Sequence, residues 1–301
     1  MLQPYNPKNE TIICNVGGQL LPRAEAKISI FDSIVIGGDA VWEGLRIYPE
    51  GAFCLDHHID RLRASAHALA FTDIPSRETV EKAIFDTLEA NGMRDEAHMR
   101  ITLTRGEKRT SGMDPRLNTK GSCLIVLAEW KPLVYDNSHG ITVITSAIRR
   151  NGPQFLDSKI HHSNLLNNIL AKIQANHAGA DAAIMLDHAG FVSELNDTNL
   201  FMAKGDTLLT PHADACLPGI TRGLVIQVAR DLGIEVVERN ISLTEFYNAD
   251  EAFATGTMGE LTPVVEADGR TIPSLEKANL LPRIREAYHT LRPSLCRKLP
   301  F

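Results

Sequence analysis

The chain has 301 residues, of which 44% are hydrophobic and 23% charged. That suits one large or two medium globular domains with a substantial buried core. A formal net charge of -6 at pH 7 gives no reason to expect a nucleic acid as partner, although a local basic pocket for a small anion stays open.

Five cysteines lie at 14, 54, 123, 216 and 296, with no CxxC pair and an odd total, so a disulfide framework is not expected and a reducing cytoplasm is the easier setting. The opening MLQPYNPKNETIICNVGG has no basic stretch running into a long apolar one and does not read as a secretion signal. No segment approaches the roughly 20 apolar residues that span a bilayer.

In chain order, strand-like pieces are expected at Thr11–Val16 and Lys27–Phe31, then a hairpin from AVWEGLRIY (Ala40–Tyr48) through Pro49-Glu50-Gly51 to Ala52–Leu55. Apolar spacing at Leu62, Ala66, Leu69 and Ala70 predicts a helix over Ile59–Phe71, and a second runs from about Arg77 to Ala90, ending at Asn91-Gly92. His98–Gly106 and Cys123–Trp130 read as strands around a polar loop, Glu107–Gly121. Lys131–Gly140 is the best candidate linker.

Beyond it come a strand at Ile141–Ile148, a loop to about Ser163 and a helix through Leu165–Ala178. Strands at Asp181–Leu186, Phe191–Glu194 and Asn199–Ala203 precede a helix at Ile220–Leu232. Ile234–Arg239 and Glu251–Thr255 follow as strands, and Ile284–Leu291 lies in a terminal helix. The spacing is not that of a doubly wound sheet, and two α+β domains fit better. The expected division is a small N-terminal domain over 1–133, a linker over 134–140 and a larger C-terminal domain over 141–301.

Three segments of the second half could hold an anion beside a reactive group. Leu217-Pro218-Gly219-Ile220-Thr221-Arg222 breaks sharply before an amphipathic helix, whose free N–H groups could bind phosphate with help from Thr221. On pattern alone this is an ordinary Pro-Gly helix start. Thr255-Gly256-Thr257-Met258-Gly259-Glu260 is either a ligand-cradling turn or a structural one. It is neither a Walker sequence nor a GxGxxG fingerprint. Lys159, in FLDSKIHHSNLLNN, is either a solvated lysine or an amine nucleophile, which would need desolvation or nearby positive charge. Glu194, in GFVSELNDTNLF, is either a solvated strand-end acid or the partner of a protonated pyridine nitrogen. Asp56-His57-His58-x-Asp60 and His161-His162 lack a complete metal-ligand spacing, so no metal is expected, and helix-surface and loop positions account for both.

The run Glu194-Leu-Asn-Asp-Thr-Asn199-Leu-Phe201, then Leu208-Leu-Thr210, then Leu217-Pro-Gly219-Ile220-Thr-Arg222 resembles the signature of class IV aminotransferases, the fold type IV pyridoxal-phosphate enzymes. GGDAVWEGLRIY, HHIDRLRASAHAL and TGTMGELTPVVEADG are similar to further family segments. Asn196 departs, standing where the family usually has Ser or Thr, and is expected to reshape the pocket near Glu194. The resemblance implies a two-domain α+β fold like that of D-amino acid aminotransferase, with pyridoxal 5'-phosphate between the domains. Lys159 becomes the Schiff-base lysine and Glu194 the pyridine-nitrogen partner. Arg61 would reach the phosphate with Ile220, Thr221 and Thr257, beside Asn199, Gly219 and Gly256.

HMRITLTRG resembles the Tyr-x-Arg strand of branched-chain aminotransferases, with His98 in place of tyrosine. Arg100 would then meet substrate carboxylate with His98 also in the substrate site, and Met258-Gly259 would offer a backbone clamp. Leu165 stands where a tyrosine is usual, and the KIHHSNLL spacing is altered. The implied activity is transfer of an amino group between a branched-chain L-amino acid and 2-oxoglutarate, in a homo-oligomer of at least two subunits, without nucleic acid or membrane. Alternatives are a fold type IV transaminase of D-amino acids or (R)-amines, a lyase of the aminodeoxychorismate type, and a small-molecule-binding protein without catalysis.

Overall fold

The computed structural model describes residues 5–301. The chain separates into two compact units. One comprises Leu133–Lys159 and Leu165–Pro293; the other holds residues 5–132 together with Ile160–Asn164 and Ser294–Phe301.

The N-terminal unit is a wholly antiparallel sheet. Its strands are β1 (Ile13–Val16), β2 (Gln19–Pro22), β3 (Ala40–Tyr48), β4 (Gly51–Phe53), β5 (Ala97–Thr104) and β6 (Cys123–Trp130). Helices α1 (Ser33–Gly37), α2 (Leu55–Ala68) and α3 (Arg77–Asn91) accompany them. α2 buries Leu55, Ile59, Leu62 and Ala66, an i, i+4, i+7, i+11 stripe that meets Val41, Leu45 and Ile47 from alternate positions of β3 in one core. α3 starts on Ser76, whose hydroxyl accepts the Thr79 N–H, and stops on Gly92 at φ 62, a left-handed cap that suits glycine. The strand expected at Lys27–Phe31 is absent. That segment makes no ladder pairing, and Ile30 and Phe31 are exposed.

The second unit is built on a mixed sheet: β7 (Ile141–Thr145), β8 (Ala182–Leu186), β9 (Val192–Leu195), β10 (Asn199–Lys204), β11 (Thr207–Thr210), β12 (Glu235–Glu238), β13 (Glu251–Gly256), β14 (Glu260–Ala267) and β15 (Arg270–Thr271). The order is β12-β11-β10-β13-β14-β7-β8-β9, with β15 paired to β14. Parallel pairing joins β11 to β12, β14 to β7, and β7 to β8. Helices α4 (Leu166–His177), α5 (Ile220–Asp231), α6 (Leu243–Tyr247) and α7 (Leu280–Leu291) complete it. The chain then returns to the N-terminal unit, where β16 (Cys296–Arg297) pairs with β4 and ends the order β16-β4-β3-β5-β6-β1-β2.

Ile160–Asn164 also belongs to the N-terminal unit, sewn along β3. The Trp42 N–H donates to the His161 carbonyl at 2.8 Å, the Trp42 indole to that of His162 at 3.1 Å, and the Ser163 N–H to that of Ala40 at 2.9 Å. The altered spacing of KIHHSNLL thus has a structural reason: those residues form a short pairing with a sheet edge. Lys159 is the last residue before that passage.

Candidate active site

Glu194 anchors the site. Strand β9 pairs it with Met185 of β8, and its side chain is buried. Oε1 accepts a 2.5 Å bond from Arg150 Nε, and Oε2 a 3.0 Å bond from Asn199 Nδ2. Burial pushes the Glu194 carboxyl upward, opposed by the Arg150 guanidinium and the Leu217 N–H. Asn199 Nδ2 also donates to the Leu217 carbonyl at 2.8 Å, tying the acid to the loop before α5. Gly219 is required there: a Cβ on it would stand 2.1 Å from Asn199 Oδ1.

Gly219 is the N-cap of α5, and no side chain caps this helix. Its first-turn N–H groups are therefore available to an anion. Thr221, one residue into the helix, is buried, and its hydroxyl has no hydrogen-bond partner among the described residues. The Thr255 hydroxyl is in the same condition. Register pairs Asn199 with Thr255, which brings the end of β13 beside the acid and its loop.

Thr257, Met258 and Gly259 form the turn from β13 to β14, closed by the pair Gly256 with Glu260. Glu260 takes φ 55, and its carboxylate lies 3.1 Å from His289 and 3.6 Å from Arg292. The expected linker grips this turn from the other side. Val134 N–H donates to the Met258 carbonyl at 2.9 Å, and Asn137 Nδ2 to that of Gly259 at 3.0 Å. The carbonyls of Met258 and Gly259 are thus both engaged.

Lys159 lies in the same unit on an exposed turn. Its N–H donates to Asp157 Oδ1 at 3.0 Å, and its Nζ stands 3.6 Å from that oxygen. Ser158, buried just before it, fixes the turn by donating to the Asn151 carbonyl at 2.5 Å. The positive charges of Arg222, Arg150 and Lys159 all reach Cys216, whose thiol burial pushes up to about 12.

Arg61, His98 and Arg100 belong to the other unit. Arg61 makes a bidentate pair with Glu43, Nε to Oε1 and Nη2 to Oε2, each 2.8 Å. Glu43 also contacts His58 Nδ1 at 2.7 Å and His161 Nδ1 at 3.0 Å. Burial alone would raise the Glu43 carboxyl, but His161 and Arg61 outweigh it and hold the acid well below the ordinary carboxylate range. Arg100 lies over the Trp42 ring at 3.9 Å, and burial lowers its pKa. Burial and the charges of Lys131, Arg46 and Arg100 push His98 down to about 3, so its imidazole is neutral at working pH.

One expectation is corrected. His58 is not on a helix surface: it is buried in α2, and together with the loop residue His161 it contacts the buried Glu43 carboxylate, an arrangement invisible without the fold. Asn196 takes part in strand pairing. Its Oδ1 accepts the Ala183 N–H at 2.9 Å and its own N–H reaches the Ala183 carbonyl, extending the β9–β8 pairing. Sequence reasoning missed Arg150 and Glu43. A signal existed for both, since Arg149-Arg150 closes an apolar strand and Glu43 interrupts AVWEGLRIY.

A family model described as amino-transferase class IV matches residues 40–267. Branched-chain-amino-acid aminotransferase-like protein 2 of Arabidopsis thaliana is 56% identical over 285 residues, 95% of this chain and 51% of that protein. The chain thus spans about half the length of the curated relatives it first matches. A putative branched-chain-amino-acid aminotransferase of Methanocaldococcus jannaschii is 39% identical, covering 92% of this chain and 95% of its own. The structure of the Escherichia coli branched-chain aminotransferase superposes with a TM-score of 0.87 at 28% identity, covering 95% of this chain and 96% of that one. That of the branched-chain aminotransferase from Thermoproteus uzoniensis, solved with norvaline, gives 0.84 at 30%, covering 94% and 95%. The fold is the two-domain α+β fold of these type IV enzymes. With three quarters of its length under the model and relatives matched over nearly all of it, the chain belongs to the class IV aminotransferase family.

Proposed function

We propose that the protein is a pyridoxal 5'-phosphate-dependent transaminase moving an amino group between a branched-chain L-amino acid and 2-oxoglutarate. One observation carries the reading: a buried acid, Glu194, tied through Asn199 and Leu217 to an uncapped helix start whose Thr221 hydroxyl lacks a partner among the described residues. Those groups fit the cofactor at both ends, the acid accepting from its ring nitrogen and the helix start donating to its phosphate. Relatives of branched-chain name, matched over most of both chains, support the substrate class.

When bound, the cofactor supplies an electron sink for negative charge at the amino acid Cα. Lys159 is its proposed attachment point, and Lys159 Nζ then takes and returns the Cα proton. Glu194 keeps the ring nitrogen protonated, with Asn199 fixing its second oxygen. Gly219, Ile220 and Thr221, together with Gly256 and Thr257, hold phosphate through N–H and hydroxyl donors, and Arg61 is assigned to the same phosphate. Arg100 and neutral His98 are assigned to substrate carboxylate, as is the backbone of Met258 and Gly259.

A homo-oligomer is part of the proposal. Helix α4 buries Ala171 and Ala175 yet exposes Leu166, Ile169, Leu170 and Ile173, at an i, i+3, i+4, i+7 spacing. Such an outward apolar stripe suits a second copy of the chain. A reducing, cytoplasmic setting is consistent with five free cysteines, and among the described residues no helix is long and apolar enough to cross a membrane.

The test is uptake of pyridoxal 5'-phosphate by the purified protein, followed by its visible absorbance. The band of covalently held cofactor should form in the natural protein and be lost in Lys159→Ala. A panel of L-Leu, L-Glu, D-Ala and (R)-1-phenylethylamine, scored by bleaching of that band, reads the donor class. Bleaching by L-Leu and L-Glu is expected; turnover of D-Ala or the amine alone overturns the substrate assignment.

A further inference from the structure

We propose that Arg150 is a positioning residue for the transamination, holding Glu194 ionised and aimed so that the cofactor's ring nitrogen stays protonated. The inference rests on the function proposed above. Glu194 accepts side-chain hydrogen bonds from the Asn199 amide and the Arg150 guanidinium. Only Arg150 carries charge, and among the described residues it is the one cation in contact with this acid. Arg222, the nearest alternative along the loop, is spent on Glu238 and the Pro211 carbonyl.

Arg150 is fixed at both ends. Its N–H donates to the Leu186 carbonyl at 2.9 Å, continuing the backbone contacts along β8, the strand that pairs with Glu194's own. Its side chain and that of Glu194 are only 7% and 6% exposed. Nη1 is buried without a hydrogen-bond partner among the described residues, so the guanidinium enters the interior incompletely satisfied. A buried pair of this kind is a poor way to gain stability, because desolvation offsets the attraction and a packed hydrophobe serves as well. The arrangement makes sense if the charge itself is used. A proton shared between carboxylate and pyridine goes to the ring when a cation sits against the carboxylate, and to the acid when that cation is removed. Protonation of the ring is what makes it a strong electron sink.

The experiment uses holoenzyme loaded with pyridoxal phosphate labelled with 15N in the ring, read by the ring-nitrogen chemical shift. The natural protein and Arg150→Lys should give the protonated-pyridine shift, and Arg150→Met should move toward the unprotonated one. The kcat of Arg150→Met should fall by roughly 10- to 100-fold, the scale known for outer partners of metal ligands, with donor KM nearly unchanged. If Arg150→Met does not fold, Arg150→Gln keeps a neutral donor on Glu194 and makes the same discrimination. A protonated nitrogen in the neutral variants as in the natural protein overturns the role of Arg150 alone. Failure of the natural protein to take up the cofactor covalently overturns the proposed function instead.

Discussion

Glu43 and Arg61 face each other as a two-point ion pair, both contacts at 2.8 Å, with the carboxylate wholly buried. The same acid takes His58 and His161, so one side chain joins β3, α2 and the segment just after Lys159. Glu43→Ala would leave buried cationic and polar groups without their acceptor. A loss of about 3–5 kcal/mol is expected from breaking such a pair. Urea unfolding of the natural and variant proteins measures it, and a change within about 0.5 kcal/mol would place the network among inconsequential contacts.

Gly219 has no room for a side chain against Asn199. Gly219→Ala should push the amide away from Glu194 and cost about 1–3 kcal/mol, the usual range for an overpacked site. Thermal unfolding reads the stability, and cofactor affinity should fall with it. Unchanged melting and affinity would mean that Asn199 moves aside without consequence.

Thr221 offers its hydroxyl to no group among the described residues. Thr221→Val keeps the shape and removes the donor, so affinity for pyridoxal 5'-phosphate should weaken about tenfold, as for one hydrogen bond to a charged group. Stability without cofactor should hold or rise slightly, since an unpaired buried polar atom has gone. Titration of the natural and variant proteins with the cofactor decides; equal affinities would remove Thr221 from the phosphate site.

His98 is lowered to about 3 by burial and by neighbouring cations. Its depressed value means that the folded protein binds fewer protons here than the unfolded chain, whose histidines titrate near 6.5. The stability it contributes is complete above that unfolded value, declines as pH falls below it, and is gone once pH passes the folded value near 3. Proton NMR should therefore show no titration of His98 between pH 5 and pH 8. His98→Gln should flatten acid destabilisation over the upper part of that window. An imidazole titrating near 6.5 would contradict this account.

The apolar stripe of α4 predicts assembly through that helix. Replacing Ile169 and Leu170 together by Asp should shift sedimentation from oligomer to monomer while the sheet signal in circular dichroism stays. A natural protein that sediments as a monomer at micromolar concentration would dispose of the idea.

The sequence by itself determined the elements whose pattern is local. Cys123–Trp130 is a short apolar run and is the strand expected, and Arg77–Asn91 has its Ser76 start and Gly92 stop in plain view. The helix start at Ile220 and the Glu194 strand were legible for the same reason, since Pro-Gly punctuation and short apolar runs act over a few residues. Lys27–Phe31 read as a strand because it alternates, but a strand exists only where a neighbour offers a ladder, and none is paired there. Only the tertiary structure could bring Glu43 to His161, 118 residues apart, or Arg150 to Glu194, 44 apart. Charge in a buried site is set by what packs around it, and burial and partners are properties of the folded chain rather than of any segment.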